Sequence, residues 1–187
     1  LNINIPKRDL GRLYEIIKNN LGNVLADNKF NLKNKENILE APLKELMGKL
    51  IILTSGPIGD TKMMEVTHLR LGDRVRKMTY KQLQMEEQRD VMNFNKRHLT
   101  IVVPESGFSS INFNPERAWD YGCQIVGMHF QKEDNFMMEY IRQFSDKSYL
   151  LKPFEFTRFD DEPERGYDKN KIAYYDTHDL AFGDELG

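Results

Sequence analysis

Residues 112–131 decide the fold, and they read Asn-Phe-Asn-Pro-Glu-Arg-Ala-Trp-Asp-Tyr-Gly-Cys-Gln-Ile-Val-Gly-Met-His-Phe-Gln. Asn114 and Pro115 suit the start of a short helix, because asparagine caps helices and proline fits the first helical position, where its missing N–H costs nothing. The apolar run from Cys123 to Phe130 follows at once and predicts a strand. A helix that leads directly into an apolar strand is typical of βα units.

Apolar runs elsewhere in the chain predict further strands. Residues 49–54 and 99–103 each form such a run, and a shorter one covers residues 149–152. Continuous runs of this length indicate strands of a parallel sheet that are buried on both faces. Residues 1–5 alternate between apolar and polar types, which predicts one more strand.

Apolar residues at helical spacing lie between these strands. They predict one helix over residues 10–25 and another over residues 80–94. Strands that alternate with helices favour a parallel barrel or a doubly wound sheet. A full (β/α)8 barrel needs eight strands and this chain supplies about five, so we expect part of a barrel. Its inner face would be lined by Ile51, Leu53, Ile101 and Val103.

The composition is that of a globular chain and excludes several classes of protein. The 187 residues are 40% apolar and 30% charged, and a net charge of −2 predicts no nucleic-acid binding. No run of 18 apolar residues occurs, so we expect no membrane span. The lone cysteine, Cys123, cannot form an internal disulfide, which favours an intracellular location, either cytoplasmic or peripheral to a membrane or large assembly.

The end of the chain differs in character from the rest. From Asp160 onward nine acidic residues stand against three basic ones, which predicts that residues 157–187 form an extended acidic tail. Its spaced aromatic residues, such as Tyr167 and Tyr174, are candidate contacts with the domain itself or with a larger protein assembly.

Four motifs resemble one eukaryotic family, the phosphoinositide-specific phospholipases C. Residues 112–131 resemble the hallmark of its Y region, Ser-Asn-Tyr-x-Pro followed by Trp-x-x-Gly-x-Gln-x-Val-Ala-Leu-Asn-x-Gln. Residues 149–153, Tyr-Leu-Leu-Lys-Pro, are similar to its Gly-Tyr-Val-Leu-Lys-Pro, and residues 94–100, Phe-Asn-Lys-Arg-His-Leu-Thr, to its Tyr-Asn-Lys-Arg-Gln-Leu-Ser. Residues 46–52, Leu-Met-Gly-Lys-Leu-Ile-Ile, are similar to the Leu-Lys-Gly-Lys-Ile-Leu strand that closes its X region.

The resemblance implies an α/β fold, the C-terminal half of a phospholipase C-like (β/α)8 TIM barrel with parallel strands. It divides the chain into the end of the X-like region at residues 1–58, a linker at 59–78, the Y-like region at 79–156 and the tail at 157–187. We expect the complementary N-terminal half of the barrel to come from the same polypeptide or from another subunit.

The same resemblance implies that the site positions are degenerate. In the family two histidines and a calcium ion held by carboxylates perform the chemistry, and nearly all of these groups lie upstream of the region matched here. Asn2 falls at a calcium-ligand glutamate. The phosphate-binding lysines are replaced by Leu53 and Ser55, the arginine that binds phosphate by Ile101, and the tyrosine that packs on the inositol ring by Val103. The family's Ser-Phe-Ser aligns with residues 83–85.

Other motif residues are expected to serve the fold or a surface. The family signature residues are predicted to have a structural role; they are Trp119, Gly122, Gln124, Lys152 and Pro153. Phe108 falls where the family has an apolar ridge that contacts membranes. His98 and His129 match no catalytic histidine of the family, and we expect no catalytic residue within this chain.

Three functions are compatible with these residues. The first is a pseudoenzyme, a barrel retained as a scaffold or interaction module, with weak or no binding of polyphosphoinositides and no cofactor. The second is an active calcium-dependent phosphodiesterase whose histidines lie upstream of residue 1. The third is a peripheral module that binds lipid through Phe108 without chemistry.

Overall fold

The computed structural model describes residues 6–56, 58–59, 61–105, 111–146 and 149–150. The chain divides into two compact units, one up to Val75 and one from Arg76 onward. Both contain helices and short strands, and parallel strand pairs occur in each. The predicted mixed α/β class with parallel strands is therefore confirmed, and the described residues do not form a closed barrel.

Among its described residues, the first unit contains two helices and a two-stranded parallel sheet. The elements are α1 (Leu10–Leu21), α2 (Leu43–Leu46), β1 (Leu53–Thr54) and β2 (Leu69–Arg70), with 3-10 turns at Lys7–Asp9, Asn28–Phe30, Ile38–Glu40 and Lys62–Glu65. β1 pairs with β2 in register Leu53 to Leu69. The buried residues of α1 are Leu10, Tyr14 and Ile17, at the helical spacing seen in the sequence. They pack in one cluster with Leu25, Ile52 and Val66.

The second unit contains a three-stranded sheet and four helices among its described residues. In chain order they are β3 (Val75–Thr79), α3 (Tyr80–Met85), α4 (Gln88–Asn95), β4 (Leu99–Val103), α5 (Glu116–Asp120), β5 (Ile125–Val126) and α6 (Asn135–Gln143). The strand order is β3-β4-β5, and β4 is parallel to β5. The core contains Met78, Leu83, Val102 and Met137. It therefore lies between one face of the sheet and the helices.

Local side-chain contacts explain where two of the helices begin. Thr79 accepts a hydrogen bond from the N–H of Gln82, and the Gln82 side chain accepts one from the N–H of Thr79, so α3 starts with a capping box. The Asp134 carboxylate accepts from the N–H of Met137 at 2.9 Å and caps α6. These caps satisfy N–H groups that have no partner within the first turn of a helix.

The structure differs from the sequence predictions in several elements. Strands 49–54 and 99–103 were predicted to share one sheet, but β1 and β4 belong to separate sheets in separate units. The predicted linker, residues 59–78, contains β2 and most of β3. β2 has only two residues, too few to produce a recognisable alternation of apolar and polar positions.

Other predicted elements are shorter or divided. The single helix predicted over residues 80–94 is two helices, α3 and α4, separated at Glu86 and Glu87. The strand predicted over residues 123–130 has strand pairing only at Ile125 and Val126. Tyr149 and Leu150 are not in a strand.

Some predictions lie outside the described residues. These are the strand at residues 1–5, the remainder of the strand at 149–152, and the tail at 157–187. Asn2, Phe108, Lys152 and Pro153 are also outside. Within the part of the chain that is described, no helix has the length and apolar character needed to cross a membrane.

Candidate functional site

β4 carries two of the predicted site residues on one face. Along this strand Thr100 and Val102 are buried, whereas Leu99, Ile101 and Val103 are half-buried. Since side chains alternate across a strand, Ile101 and Val103 point away from the helices that cover Val102. We call the side of the sheet that carries Ile101 and Val103 the open face.

β5 extends the open face with another apolar side chain. Ile125 is the register partner of Ile101 and is 45% exposed. Gly127 is the residue after β5. It lies close to β4, because its N–H donates to the carbonyl of Val102 at 2.7 Å. A Cβ at Gly127 would lie 3.5 Å from Cγ1 of Val103. The positions at which the family resemblance implies an arginine and a tyrosine are thus part of an apolar surface.

β3 adds one cation to the open face. Arg76 and Met78 are buried, while Lys77 and Thr79 alternate with them and are half-buried. Because Met78 lies in the core with Val102, the alternation puts Lys77 on the same side of the sheet as Ile101. Sequence reasoning missed Lys77 because it fell in the predicted linker, and the signal that could have found it is the alternation from Val75 to Thr79.

Leu53 and Ser55 lie in the first unit, at β1 and just after it. Leu53 is half-buried and alternates with buried Ile52 and Thr54. Ser55 is also half-buried, next to a turn in which Thr54 Oγ1 accepts from the N–H of Gly56 at 3.3 Å. Ile101 and Val103 belong to the second unit. Residues 83–85 are in α3, where Leu83 is buried in the core and Met85 is exposed.

Arg76, which precedes Lys77 on β3, is buried in the core. Its guanidinium lies over the ring of Phe94 at 4.1 Å, and its Nε donates to Thr100 Oγ1 at 2.9 Å. The hydroxyl of Thr100 in turn donates to Asn95 Oδ1. Asn95 Nδ2 donates to the carbonyl of Tyr121 at 2.8 Å. The cation is therefore held in a buried polar network rather than directed toward a ligand.

Gln124 connects three segments of the second unit through its side-chain amide. Its Oε1 accepts from the N–H of Thr100 at 2.8 Å. Its Nε2 donates to the carbonyls of Asn95 at 3.0 Å and His98 at 2.8 Å. The end of α4, the start of β4 and the approach to β5 are thereby fixed to one another, which is a structural rather than a chemical role.

The other described signature residues also make structural contacts. Gly122 has φ of 71° in the turn after α5, a conformation that glycine adopts with little strain. The Trp119 ring lies 6.1 Å from that of Tyr140 and 6.0 Å from that of Phe144, in and just after α6. These contacts join α5 to α6.

His98 and His129 occupy structural positions. His98 is buried, with its ring stacked on Phe94 at 4.5 Å and its Nδ1 3.2 Å from the Phe94 carbonyl. His129 follows β5, and its backbone N–H donates to Asn112 Oδ1 at 2.7 Å. Both histidines therefore make contacts that hold the fold of the second unit together.

Two further observations bear on chemistry. Burial raises the pKa of the Cys123 thiol to about 11, so the thiol stays protonated at neutral pH and is a poor nucleophile. Among the residues that the structure describes, no three His, Cys, Asp or Glu side chains are arranged to hold a metal ion. Among the described strand residues, the open face carries the apolar side chains Ile101, Val103 and Ile125 and the cationic residue Lys77.

Comparison with known proteins gives partial matches. The 1-phosphatidylinositol 4,5-bisphosphate phosphodiesterase beta egl-8 of Caenorhabditis elegans is 35% identical over 83 residues, which is 42% of this chain and 6% of that protein. The inactive phospholipase C-like protein 2 of Homo sapiens is 40% identical over 68 residues, 34% of this chain and 6% of the relative. The 1-phosphatidylinositol 4,5-bisphosphate phosphodiesterase classes I and II of Drosophila melanogaster is 40% identical over 76 residues, 38% of this chain and 6% of the relative.

These relatives are much longer than the matched segment, and no solved structure gives a significant match to the chain. The family model of the phosphatidylinositol-specific phospholipase C Y domain matches residues 63–155, beginning inside the segment predicted as a linker. That match contains the signature residues Trp119 and Gln124 and the whole open face. The family resemblance of the sequence is confirmed: through residues 63–155 this chain belongs to the phosphatidylinositol-specific phospholipase C family, as a carrier of its Y domain.

Proposed function

We propose that this chain is the C-terminal half of a phospholipase C-like barrel that no longer binds a phosphorylated head group. In this proposal the barrel serves as a scaffold or interaction module. The observation that carries the proposal is the apolar character of the open face. By the sequence resemblance Ile101 and Val103 replace the family's arginine and tyrosine, and Ile101 lies beside the partly exposed Ile125. The only arginine on β3, Arg76, is buried in the core.

The energetic consequence is large because phosphate recognition depends on charge. One charge-assisted hydrogen bond contributes about 1.5 to 3 kcal/mol, and the family resemblance implies that cationic groups are replaced at Leu53, Ser55 and Ile101. Losing even two such contacts weakens binding by roughly two to four orders of magnitude, although such contributions are not additive. A hydrocarbon side chain also cannot stabilise charge that develops on a phosphoryl group.

The same face motivates a proposal about partners. An apolar strand face and an open sheet edge favour burial against another structure. The partner proposed for this face is the complementary N-terminal half of the barrel, whether it lies in the same polypeptide or in another subunit. One human relative of the chain carries the name of an inactive phospholipase C-like protein, which supports the absence of turnover.

A second candidate function rests on Lys77. Lys77 is a half-buried residue on the open-face side of β3, and a lysine carries the charge that pairs with a single phosphodiester. An active calcium-dependent phosphodiesterase with a preference for unphosphorylated phosphatidylinositol needs fewer cations than one that acts on the bisphosphate. Two relatives with a similar segment are named as phosphodiesterases of phosphatidylinositol 4,5-bisphosphate, which supports this second candidate.

One experiment separates the two candidates. The full-length protein would be incubated with calcium and vesicles that contain either phosphatidylinositol or phosphatidylinositol 4,5-bisphosphate, and released inositol phosphates would be counted. We expect no release from either lipid. Turnover of the bisphosphate at about 1 per second or more would overturn the proposal. Turnover of phosphatidylinositol alone, lost in Lys77→Met, would establish the second candidate.

A binding measurement tests the role of the open face directly. The double variant Ile101→Arg with Val103→Tyr restores the family residues on β4, while Leu99→Arg adds the same charge to the same strand face at a position without a family role. Titration with inositol 1,4,5-trisphosphate should give tighter binding in the double variant than in the unmodified protein. Equal tightening by Leu99→Arg would mean that only net charge matters.

A further inference from the structure

The ring of His68 joins two backbone segments in the interior of the first unit. The residue is 4% exposed. Its Nδ1 lies 3.2 Å from the N–H of Ile52, and its Nε2 lies 3.3 Å from the carbonyl of Ala26. His68 and Ile52 are also linked through the main chain, because the N–H of His68 donates to the carbonyl of Ile52 at 2.9 Å.

Only one protonation state of the ring satisfies both contacts. The Ile52 N–H is a donor, so Nδ1 must be an unprotonated acceptor. The Ala26 carbonyl is an acceptor, so Nε2 must carry the hydrogen. The neutral Nε2–H tautomer therefore fits, whereas a doubly protonated ring would direct the Nδ1 hydrogen at the Ile52 N–H and leave that buried amide without its acceptor.

The segments that meet at this ring form the sheet of the first unit. Leu25 and Leu50 make a parallel bridge, and the N–H of Ala26 donates to the carbonyl of Leu50 at 3.0 Å. β1 then pairs with β2 immediately after Ile52. His68, just before β2, reaches back to both neighbouring segments. Loss of its contacts would therefore loosen the strand that carries Leu53.

We infer that His68 is a protonation-sensitive latch, which holds the Ala26 and Ile52 segments together when its ring is neutral and releases them when the ring gains a second proton. A histidine is suited to this role because its ordinary pKa, about 6.5, lies close to physiological pH. Acidification within the pH range found in cells would then weaken the contact between the Ala26 and Ile52 segments.

The surroundings of the ring favour the neutral form. Burial lowers the pKa of His68 because it disfavours the charged ring, and the Ala26 carbonyl opposes this effect only in part. The charged residues on the packed segments are engaged or exposed. Asp27 caps the N–H of Lys29 at 2.9 Å, Glu65 accepts from Lys33 and Tyr14 at 3.1 Å each, and Lys49 and Arg70 are exposed.

The direction of the pH effect follows from this lowered pKa. Above pH of about 6.5 the ring is neutral in both the folded and the unfolded chain, and the full stability is present. As the pH falls from there toward the lowered pKa of the folded state, the unfolded chain binds the proton first and stability is lost. Below the folded-state pKa the loss levels off. At most the unfolding constant changes about tenfold per pH unit within that window.

The test follows the ring and one amide in the full chain between pH 7.5 and 5.0. Long-range proton–nitrogen NMR spectra should show the Nε2–H tautomer of His68 and a titration midpoint below about 6.5. Hydrogen exchange at the Ile52 amide, corrected for its intrinsic pH dependence, should accelerate up to about tenfold between pH 6.5 and 5.5. An Nδ1–H tautomer, or a midpoint at or above that of an exposed histidine, would refute the latch.

Two variants isolate the contribution of the ring. His68→Gln keeps a neutral donor and acceptor but cannot titrate, so the excess acceleration at Ile52 should disappear. His129→Gln, in the second unit, should keep the full pH response of the unmodified protein. An unchanged pH response in His68→Gln would contradict the inference, and if that variant does not fold, the ring titration of the unmodified protein decides the question alone.

Discussion

Replacing Gln124 with methionine should destabilise the second unit strongly. The two side chains have similar length and shape, so the change removes polar contacts with little change in packing. Three hydrogen bonds are lost, from the N–H of Thr100 and to the carbonyls of Asn95 and His98. Thr100 is fully buried, so water does not readily replace the acceptor that its N–H loses.

The magnitude follows from the number and burial of these bonds. A hydrogen bond contributes about 0.5 to 1.5 kcal/mol net, and a buried group left without a partner costs about 1 to 3 kcal/mol. The added apolar surface of methionine offsets a part of this loss. We therefore expect the free energy of unfolding to fall by about 2 to 4 kcal/mol, a large share of the 5 to 15 kcal/mol that holds a typical domain together.

Urea unfolding of the full chain, followed by tryptophan fluorescence, measures this change. Trp119 is the only tryptophan in the chain and lies between α5 and α6, so its signal reports on the second unit. Gln131→Met is the matched control, because Gln131 is exposed and its Nε2 makes one long contact of 3.5 Å with His129. A loss in Gln124→Met no greater than in the control would refute the structural role assigned to the amide.

Two glycines and the open face give the remaining predictions. Gly122→Ala should lower the free energy of unfolding by about 1 to 2 kcal/mol, since Gly122 has φ of 71°. Gly11→Ala should instead raise the free energy of unfolding by about 0.5 to 1 kcal/mol, because an added Cβ in α1 meets nothing within 4 Å. Urea titrations in which Gly122→Ala stabilises the protein and Gly11→Ala destabilises it would contradict these backbone conformations. If another structure normally covers the open face, the isolated 187-residue chain should self-associate on gel filtration and Ile125→Lys should reduce this. A monomer that unfolds cooperatively would instead show that the face needs no partner.

Local patterns predicted a substantial part of this fold. The helical spacing of apolar residues such as Leu10 and Ile17 predicted α1, and both are buried, because side chains three and four residues apart share one side of a helix. The apolar run at 99–103 predicted β4, and its alternation put Ile101 and Val103 on one face. These features depend on residues that are close in the chain, so the sequence displays them directly.

Strand pairing was less predictable, because it depends on contacts between distant residues. β1 pairs with β2, a two-residue strand in a segment that looked like a linker. Lys77 was overlooked for the same reason, since it belongs to a strand that begins in that segment. The identity of the partner strand is determined by which apolar surfaces meet, and a window of a few residues does not contain that information.

The sequence by itself determined the family of residues 63–155 and the positions of α1, α5 and β4. The replacement of cationic residues at Leu53, Ser55 and Ile101 stays a prediction from the family resemblance. Only the tertiary structure decided what the polar residues do. Gln124 holds three segments, Arg76 is confined to the core, and His68 bridges Ile52 and Ala26. The physical reason is that a side chain's hydrogen-bond partners are backbone groups brought near it by folding, and their identity is independent of the residues next to it in the chain.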